Sequence, residues 1–345
     1  MQRKAIICLM VCLFFVSNAW GFGNTIRIMD WNVYIGTDVF AAVNGEITVD
    51  EAVDQVIDSN INARALSIAT HIELLKPDVV FLQEAWQMVL LECTSPPDPD
   101  SCTVVSAYDF LAVFKAILKN YDVAGVQELT QLTLPYSSGY VHVMDRDVIL
   151  VRKGVVMPAG GATEYAPDYQ FYSALLEVPV DSSTTITSLR GYITVPVEIH
   201  GNSYLLANTH LEVFNPFREA QAEELASVLG TLPENVNVIL GGDFNDVPGS
   251  DTYDALTDAG FIDRWNGRYI GRWDDGLTCC QEADLRNKMS DLYERIDFVF
   301  TLNGNFLTIS GRVIGDEWYD KALTIPRLWP SDHGGLIFTL YSYYR

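Results

Sequence analysis

From residue 25, apolar residues alternate with polar ones through TIRIMDWNVYIG, with Ile26, Ile28 and later Val33 on one side, which predicts a strand. Between about 49 and 75 the period lengthens. Val53, Val56, Ile57, Ile61, Ile68, Ile72 and Leu75 recur at three- and four-residue steps, which predicts a helix that Pro77 ends. DVVFLQEAW reads as a buried strand, and AYDFLAVFKAILKNY as a second helix with Phe110, Phe114, Ile117 and Leu118 on one face. DVILVR and GYITVPVEI are strands, and HGN is a hairpin turn leading into SYLLANTHLE. Asn215-Pro216 signals a helix start, followed by a stripe of Phe217, Gln221, Leu225, Val228 and Leu229. NVNVILGGDF is a strand, SDTYDALTDAGF a short helix capped by Ser250, and ERIDFVF and GGLIFTLYSY are strands. Alternating strands and helices with hairpins mixed in predict an α/β (α+β) layered sandwich of mixed sheets with helices packed outside. With no internal repeat, low-complexity tract or linker, one domain is expected over residues 22–345.

The first residues change the picture. MQRK is a basic start, AIICLMVCLFFV a short apolar run, and SNAWG offers Ser17, Ala19 and Gly21 for cleavage. This layout over residues 1–21 predicts a secretory signal peptide, and hence a secreted or periplasmic protein. The apolar run falls short of the roughly 20 residues that span a bilayer, and no later segment is long enough. Removal of the leader takes Cys8 and Cys12 and leaves Cys93, Cys102, Cys279 and Cys280. In an oxidising compartment disulfides are the default. Cys93 and Cys102 bracket TSPPDPDS and could staple it, and Cys279–Cys280 could bridge as neighbours; four cysteines allow three connectivities. Zinc is disfavoured because no histidine is near either pair in the sequence. The net charge of −23 repels polyanions at long range and argues against backbone-dominated binding to long nucleic acid.

Polar residues gather at strand ends. Asn32 ends the first strand, Gln83-Glu84 the second, Asn208-Thr209-His210 another, and VILGGDFND delivers Asp243 and Asn245. Asp297 lies among Ile296, Phe298 and Val299, where a carboxylate needs a partner. Ser331-Asp332-His333 precede the last strand. Singly, these residues have plain explanations: a solvated loop acid, a half-buried histidine, a turn. Together they fit one chemistry. A hard divalent cation takes oxygen ligands such as Glu84, Asn32 and Asp332. Phosphoester hydrolysis also needs a base for water, donors for the phosphorane, and help for the leaving oxygen.

WN, LQE, NTHLE, GDFND, RIDFVF and SDHGGLIFTL stand in the order found in the endonuclease/exonuclease/phosphatase superfamily, which the chain resembles over about residues 24–341. That superfamily includes pancreatic-type deoxyribonucleases, abasic-site endonucleases, inositol polyphosphate 5-phosphatases and neutral sphingomyelinases. The resemblance implies a four-layered αββα sandwich and metal-dependent phosphoester hydrolysis, with Mg²⁺ expected and Mn²⁺ or Ca²⁺ as substitutes. It implies that Glu84 is the main metal carboxylate with Asn32 beside it, and that Asp332 is an outer or second ligand. Asp243 and Asn245 would hold the nucleophilic water and the phosphate. His210 would contact the phosphate and could be the leaving-group acid, His333 would be the catalytic histidine and Asp297 its orienting partner. Either Asp243 or His333 could be the base. A further phosphate contact has three candidates, Tyr140, Arg146 and Arg190; His142 reads as structural or surface.

The expected function is a secreted phosphodiesterase that hydrolyses a small or lipid-borne phosphodiester by in-line attack of an activated water, with an extracellular nuclease acting on nucleic acid as the alternative. A non-catalytic or toxin-subunit role is disfavoured by retention of the whole set. A monomer is expected. LWP (328–330) and TLPYSSGY are candidates for an exposed membrane-contacting loop.

Overall fold

A computed structural model describes residues 25–94, 101–137, 139–179, 185–266 and 275–343. The leader at 1–21 and most of the TSPPDPDS loop lie outside the described residues. Two large mixed sheets face each other, and helices cover their outer faces. The first sheet runs, by strand, Phe306–Ile314, Gly335–Ser342, Thr25–Asn32, Val79–Gln83, Gly139–Arg152, Gln87–Cys93 and Cys102–Asp109, with Tyr121–Tyr136 paired along Gly139–Arg152. The second runs Ile262–Asp263, Asp297–Leu302, Asn237–Asp243, Asn202–His210, Gly191–Ile199 and Val156–Pro158, with Asp168–Phe171 on Gly191–Ile199.

The layers follow from side-chain alternation. In the first strand Ile26 and Ile28 point into the space between the sheets, where they meet Phe81, Ile193, Ile239 and Phe338. Met29, Trp31 and Val33 point the other way, against Ile61, Ile68 and Ile72 of the Ile61–Leu75 helix. On the far side, Leu225 and Leu229 of the Phe217–Gly230 helix pack on Leu240, Phe298 and Phe300. The result is the expected αββα sandwich. No described helix is long and apolar enough to cross a membrane.

Several elements differ from the sequence reading. The helix expected over 49–75 is two helices, Val49–Asp58 and Ile61–Leu75. Asn60 adopts a left-handed conformation (φ 51°) and its side chain caps the second helix through Ala63 N. The apolar stripe ran unbroken across this joint, so periodicity could not reveal it; Ile57 is in fact exposed. The helix expected over AYDFLAVFKAILKNY shrinks to Phe110–Ile117, because Ala107 and Tyr108 belong to the strand before it and Tyr121 begins the strand after it. The HGN turn and the Ser250 cap are present, the latter through a 3.2 Å bond from Tyr253 N. Val228 is exposed rather than part of its helix's buried stripe. Leu328, Trp329 and Pro330 are buried, so LWP is core and not a membrane loop. Cys93 and Cys102 pair in register and form a disulfide (S–S 2.01 Å), and the Cys279 and Cys280 sulfurs lie against each other. His333 lies within 4.8 Å of both of these sulfurs, so a histidine is near that pair in space although none is near in sequence.

Candidate active site

The strand register assembles the site. Thr25–Asn32 runs parallel to Val79–Gln83, so Asn32 and Gln83 end side by side and Glu84 follows immediately. In the other sheet His210 is opposite Asp243, and Asp243 is opposite Asp297. The last strand is antiparallel to the first, with Leu336 opposite Asp30, which puts Asp332 and His333 at the same edge. Six separated segments therefore present their polar residues at one edge of both sheets. Asn32 Nδ2 closes the gap between the sheets, donating to Asp243 Oδ2 (2.9 Å) and to Glu84 Oε1 (3.1 Å). Its Oδ1 accepts from Tyr34 N (3.0 Å), and these three bonds fix the amide orientation.

Glu84 is further held by Ile35 N (3.3 Å) and by Trp86 Nε1 (3.2 Å), both donating to Oε2. Glu84 and Asn245 both have left-handed backbones (φ 55° and 53°). For non-glycine residues this conformation costs on the order of 1–3 kcal/mol each and is typically found where surrounding structure enforces a function. Asn245 N donates to Asp243 Oδ1 (2.9 Å) and its Nδ2 to Leu211 O (2.8 Å). Asp246, its neighbour, turns away to pair with Arg218 (3.0 Å).

Asp243 is flanked by two histidines. His210 Nε2 is 3.5 Å and His333 Nε2 is 3.8 Å from its Oδ2. The two rings are set differently. His333 Nδ1 bonds Asp297 Oδ2 at 2.8 Å. Burial pulls the His333 pKa down, but Asp297, Asp332 and Asp243 together raise it well above the ordinary histidine value. His210 Nδ1 instead faces Arg190 Nη1 at 2.8 Å. Arginine can only donate, so Nδ1 accepts and the ring proton sits on Nε2. Burial, Arg190 and His333 all push the His210 pKa well below the usual value. Asp243 itself is pushed up to about 7 by burial and by Asp297.

A supporting shell fixes these positions. Arg64, fully buried, donates to the carbonyls of Val33 (2.9 Å), Tyr34 (2.8 Å), Ile35 (3.2 Å) and Pro330 (3.1 Å), tying the Asn32 loop to the Asp332 loop. Ser331 Oγ donates to Asn32 O (2.7 Å) and Trp31 Nε1 to His333 O (3.0 Å). Behind the site, Gln83 Nε2 links Asp30 (3.0 Å) to Asn208 (2.7 Å) across the two sheets. Gly241 makes this approach possible, since a Cβ there would collide with Phe81 and Asp30.

Of the three candidates for a further phosphate contact, the structure brings Arg190 to His210. Arg146 instead pairs with Asp109 (2.6 Å) and bonds Ala85 O (2.8 Å) behind Glu84. Tyr140 lies far along the hairpin, opposite Leu91 and Pro135. His142 meets Thr133 on the exposed side of that hairpin. Sequence reasoning missed Arg64 and the buried acids Asp145 and Asp147. The last two could have been noticed from MDRDVIL, where acids two apart in a strand share one face.

The donor set suits a cation. Glu84 and Asp332 are half-buried at one mouth, and burial and Glu84 help to raise the Asp332 carboxyl to about 6 despite His333. Asp243, Asp297 and His333 also place potential ligand atoms within 4.8 Å of one another. Carboxylates crowded in this way are relieved by a bound positive charge.

No curated protein matches the sequence. Solved structures match the fold. The zebrafish (D. rerio) TDP2 complexed with single-strand DNA product is 18% identical, with 92% of this chain and 98% of that one covered at a TM-score of 0.52. The human Nocturnin catalytic domain with bound sulfate is 17% identical, over 93% of this chain and 94% of that one (TM-score 0.53). A Bacteroides thetaiotaomicron mannosyl-6-phosphatase is also 17% identical, over 91% and 99% (TM-score 0.53). The sequence itself matches the profile of the Endonuclease/Exonuclease/phosphatase family over residues 31–333, the span that runs from the Asn32 strand to His333. Fold, motif order and profile agree: this chain belongs to the endonuclease/exonuclease/phosphatase family, and it is a phosphoester hydrolase.

Proposed function

We propose that the protein is an exported, Mg²⁺-dependent phosphodiesterase acting on a small or lipid-borne phosphodiester. The observation that carries this reading is the pair of oppositely set histidines on either side of Asp243. Glu84 and Asp332 would hold the metal, with Asn32 fixing Glu84 beside Asp243. The metal would neutralise charge on the phosphate and on the oxygen that departs.

The chain's own groups divide the remaining work. His210, neutral and protonated on Nε2, donates to a phosphate oxygen without competing for a proton. Asn245 orients the phosphate and the water. Asp243, with a pKa near neutral, takes a proton from the attacking water, while cationic His333, steadied by Asp297, gives one to the leaving oxygen. This assignment makes Asp243 the base and His333 the acid.

The net charge of −23 supports a small or lipid-borne diester over long nucleic acid. The basic-apolar-small layout of residues 1–21 supports export, and N-terminal sequencing of protein recovered outside the cytoplasm tests it. We take the exported protein to be a monomer, which gel filtration checks. Activity is tested on plasmid DNA, RNA, sphingomyelin, phosphoinositides and bis(p-nitrophenyl) phosphate, each with Mg²⁺ and with EDTA. EDTA-sensitive release from a lipid or small diester, with plasmid left intact, is the expected result. Strand cleavage points to a nuclease instead, and turnover of nothing removes the catalytic reading.

A further inference from the structure

A narrow slot opens beside the catalytic groups and shares two walls with them. One wall is Trp86, whose Nε1 donates to Glu84 Oε2 at 3.2 Å. The other is Arg190, which holds His210 at 2.8 Å and faces Asp145 Oδ2 at 3.4 Å. Between them the lining is mostly apolar, with Val43, Leu132 and Ile186 among its side chains and Thr130 and Ser188 as its hydroxyls. No step of the proposed hydrolysis uses this space.

The lining restricts what can enter. Arg190 is balanced by Asp145 and, at 3.8 Å, by Glu212, so the slot offers no uncompensated cation to a second anionic group. A cationic group would meet the Arg190 guanidinium itself. The occupant is therefore uncharged. The interior is about 40 Å³, room for roughly three water centres. That suits a slender apolar chain better than a sugar, whose hydroxyls would find few partners among these side chains. One wall contacts the proposed metal carboxylate, Glu84, and the other the proposed phosphate contact, His210, so the slot adjoins the place where a substituent of the phosphate would lie.

We propose that this slot is a substrate subsite for the first few methylenes of an alkyl ester of the phosphate. The inference rests on the phosphodiesterase reading and narrows its substrate class. Each methylene buried in an apolar site strengthens binding roughly fourfold. A butyl ester should therefore outperform a methyl ester by at least about tenfold, even if burial is incomplete.

The test compares methyl and n-butyl p-nitrophenyl phosphate with Mg²⁺, in the wild type and in Val43→Trp and Ile186→Trp. Both substituted positions are partly exposed and lie outside the catalytic set, and each tryptophan would fill the slot. The wild type should prefer the butyl ester in kcat/KM. The variants should turn over the methyl ester as the wild type does and lose the preference for butyl. A third ester, n-dodecyl, presented in micelles distinguishes the source of the chain. A further gain indicates a lipid, and no gain over butyl indicates a soluble ester; both agree with the slot. Equal turnover of methyl and butyl by the wild type overturns the subsite while leaving the phosphodiesterase reading in place. A butyl preference that survives in both variants also overturns the subsite. Turnover of none of the esters overturns the underlying reading, and the subsite with it.

Discussion

Arg190 donates to Nδ1 of His210 at 2.8 Å. This contact sets the histidine's tautomer and opposes its protonation, the reverse of what Asp297 does for His333. One fold edge thus carries a histidine kept neutral by a guanidinium and a histidine kept cationic by a carboxylate. In the proposed mechanism Arg190 would position His210 without touching the reacting atoms. Arg190→Gln should lower kcat by about 10²-fold, the scale of losing one oriented donor to a developing oxyanion. It should also move the acid limb of the rate profile to higher pH, because one of the three effects that oppose protonation of His210 is lost while burial and His333 remain. Nitrogen NMR of the wild-type rings checks the cause, and His210 should appear as the neutral Nε2–H tautomer.

Asp297→Asn removes the charge that helps keep His333 protonated. The rate should fall by about 10²–10⁴-fold. The alkaline limb of the pH profile, set in the wild type by a His333 pKa well above the usual value, should move toward neutrality. An unchanged limb would remove His333 from the acid role.

How much of this was legible in the sequence depends on the residue. Glu84, His210, Asp243 and Asp297 were visible because each sits at a strand end, next to an apolar run that locates the sheet edge. Their convergence needed only parallel and antiparallel register. Arg190 stood level with Tyr140 and Arg146, because nothing in a single chain says which basic residue faces a histidine twenty positions on. The hairpin strands around 87–136 were the hardest part: SAYDFL carries the same apolar residues whether it begins a helix or ends a strand. The helix joint at Asn60 was hidden for a related reason, since the left-handed cap keeps the apolar stripe in phase. Arg64 carries no signal of its own in the sequence, and its burial follows from the loops whose carbonyls it binds.

Stability should depend on pH, with the raised carboxyls and His333 outweighing the lowered His210, which acts in the opposite sense below the ordinary histidine pKa. Asp243 and Asp145 are raised to about 7, and Asp332 to about 6, chiefly by burial. Between the usual carboxylate range near 4 and these values the folded chain holds protons that the unfolded chain has lost, so stability falls as pH rises. His333 works in the same direction: its raised pKa stabilises the folded state at low pH, and that contribution is lost as pH passes its folded value. Without metal, Tm should be higher at about pH 5 than at pH 8. Mg²⁺ should reduce the difference by compensating the carboxylates around Glu84. A Tm that rises from pH 5 to 8 in EDTA would contradict the electrostatic account.

Arg64→Met should destabilise the protein by about 3 kcal/mol or more, since several buried carbonyls lose their donor together. Loss of activity should accompany it even where the protein remains folded, because Asn32 and Asp332 are no longer tied to each other. Chemical denaturation and turnover, measured on the same preparation, check both effects.

Glu84 and His333 lie on separate segments and, in the proposed mechanism, serve one hydrolytic centre. The direct test is the Mg²⁺-dependent hydrolysis, by Glu84→Gln, His333→Gln and the double variant, of a phosphodiester with an alkoxide leaving group, which needs the proton that His333 would supply. Each single variant should lose at least about 10²-fold, and the double should be about as slow as the slower single, as for groups that act as a unit. Near-wild-type turnover in either single variant, or losses that simply multiply in the double, would contradict a shared centre.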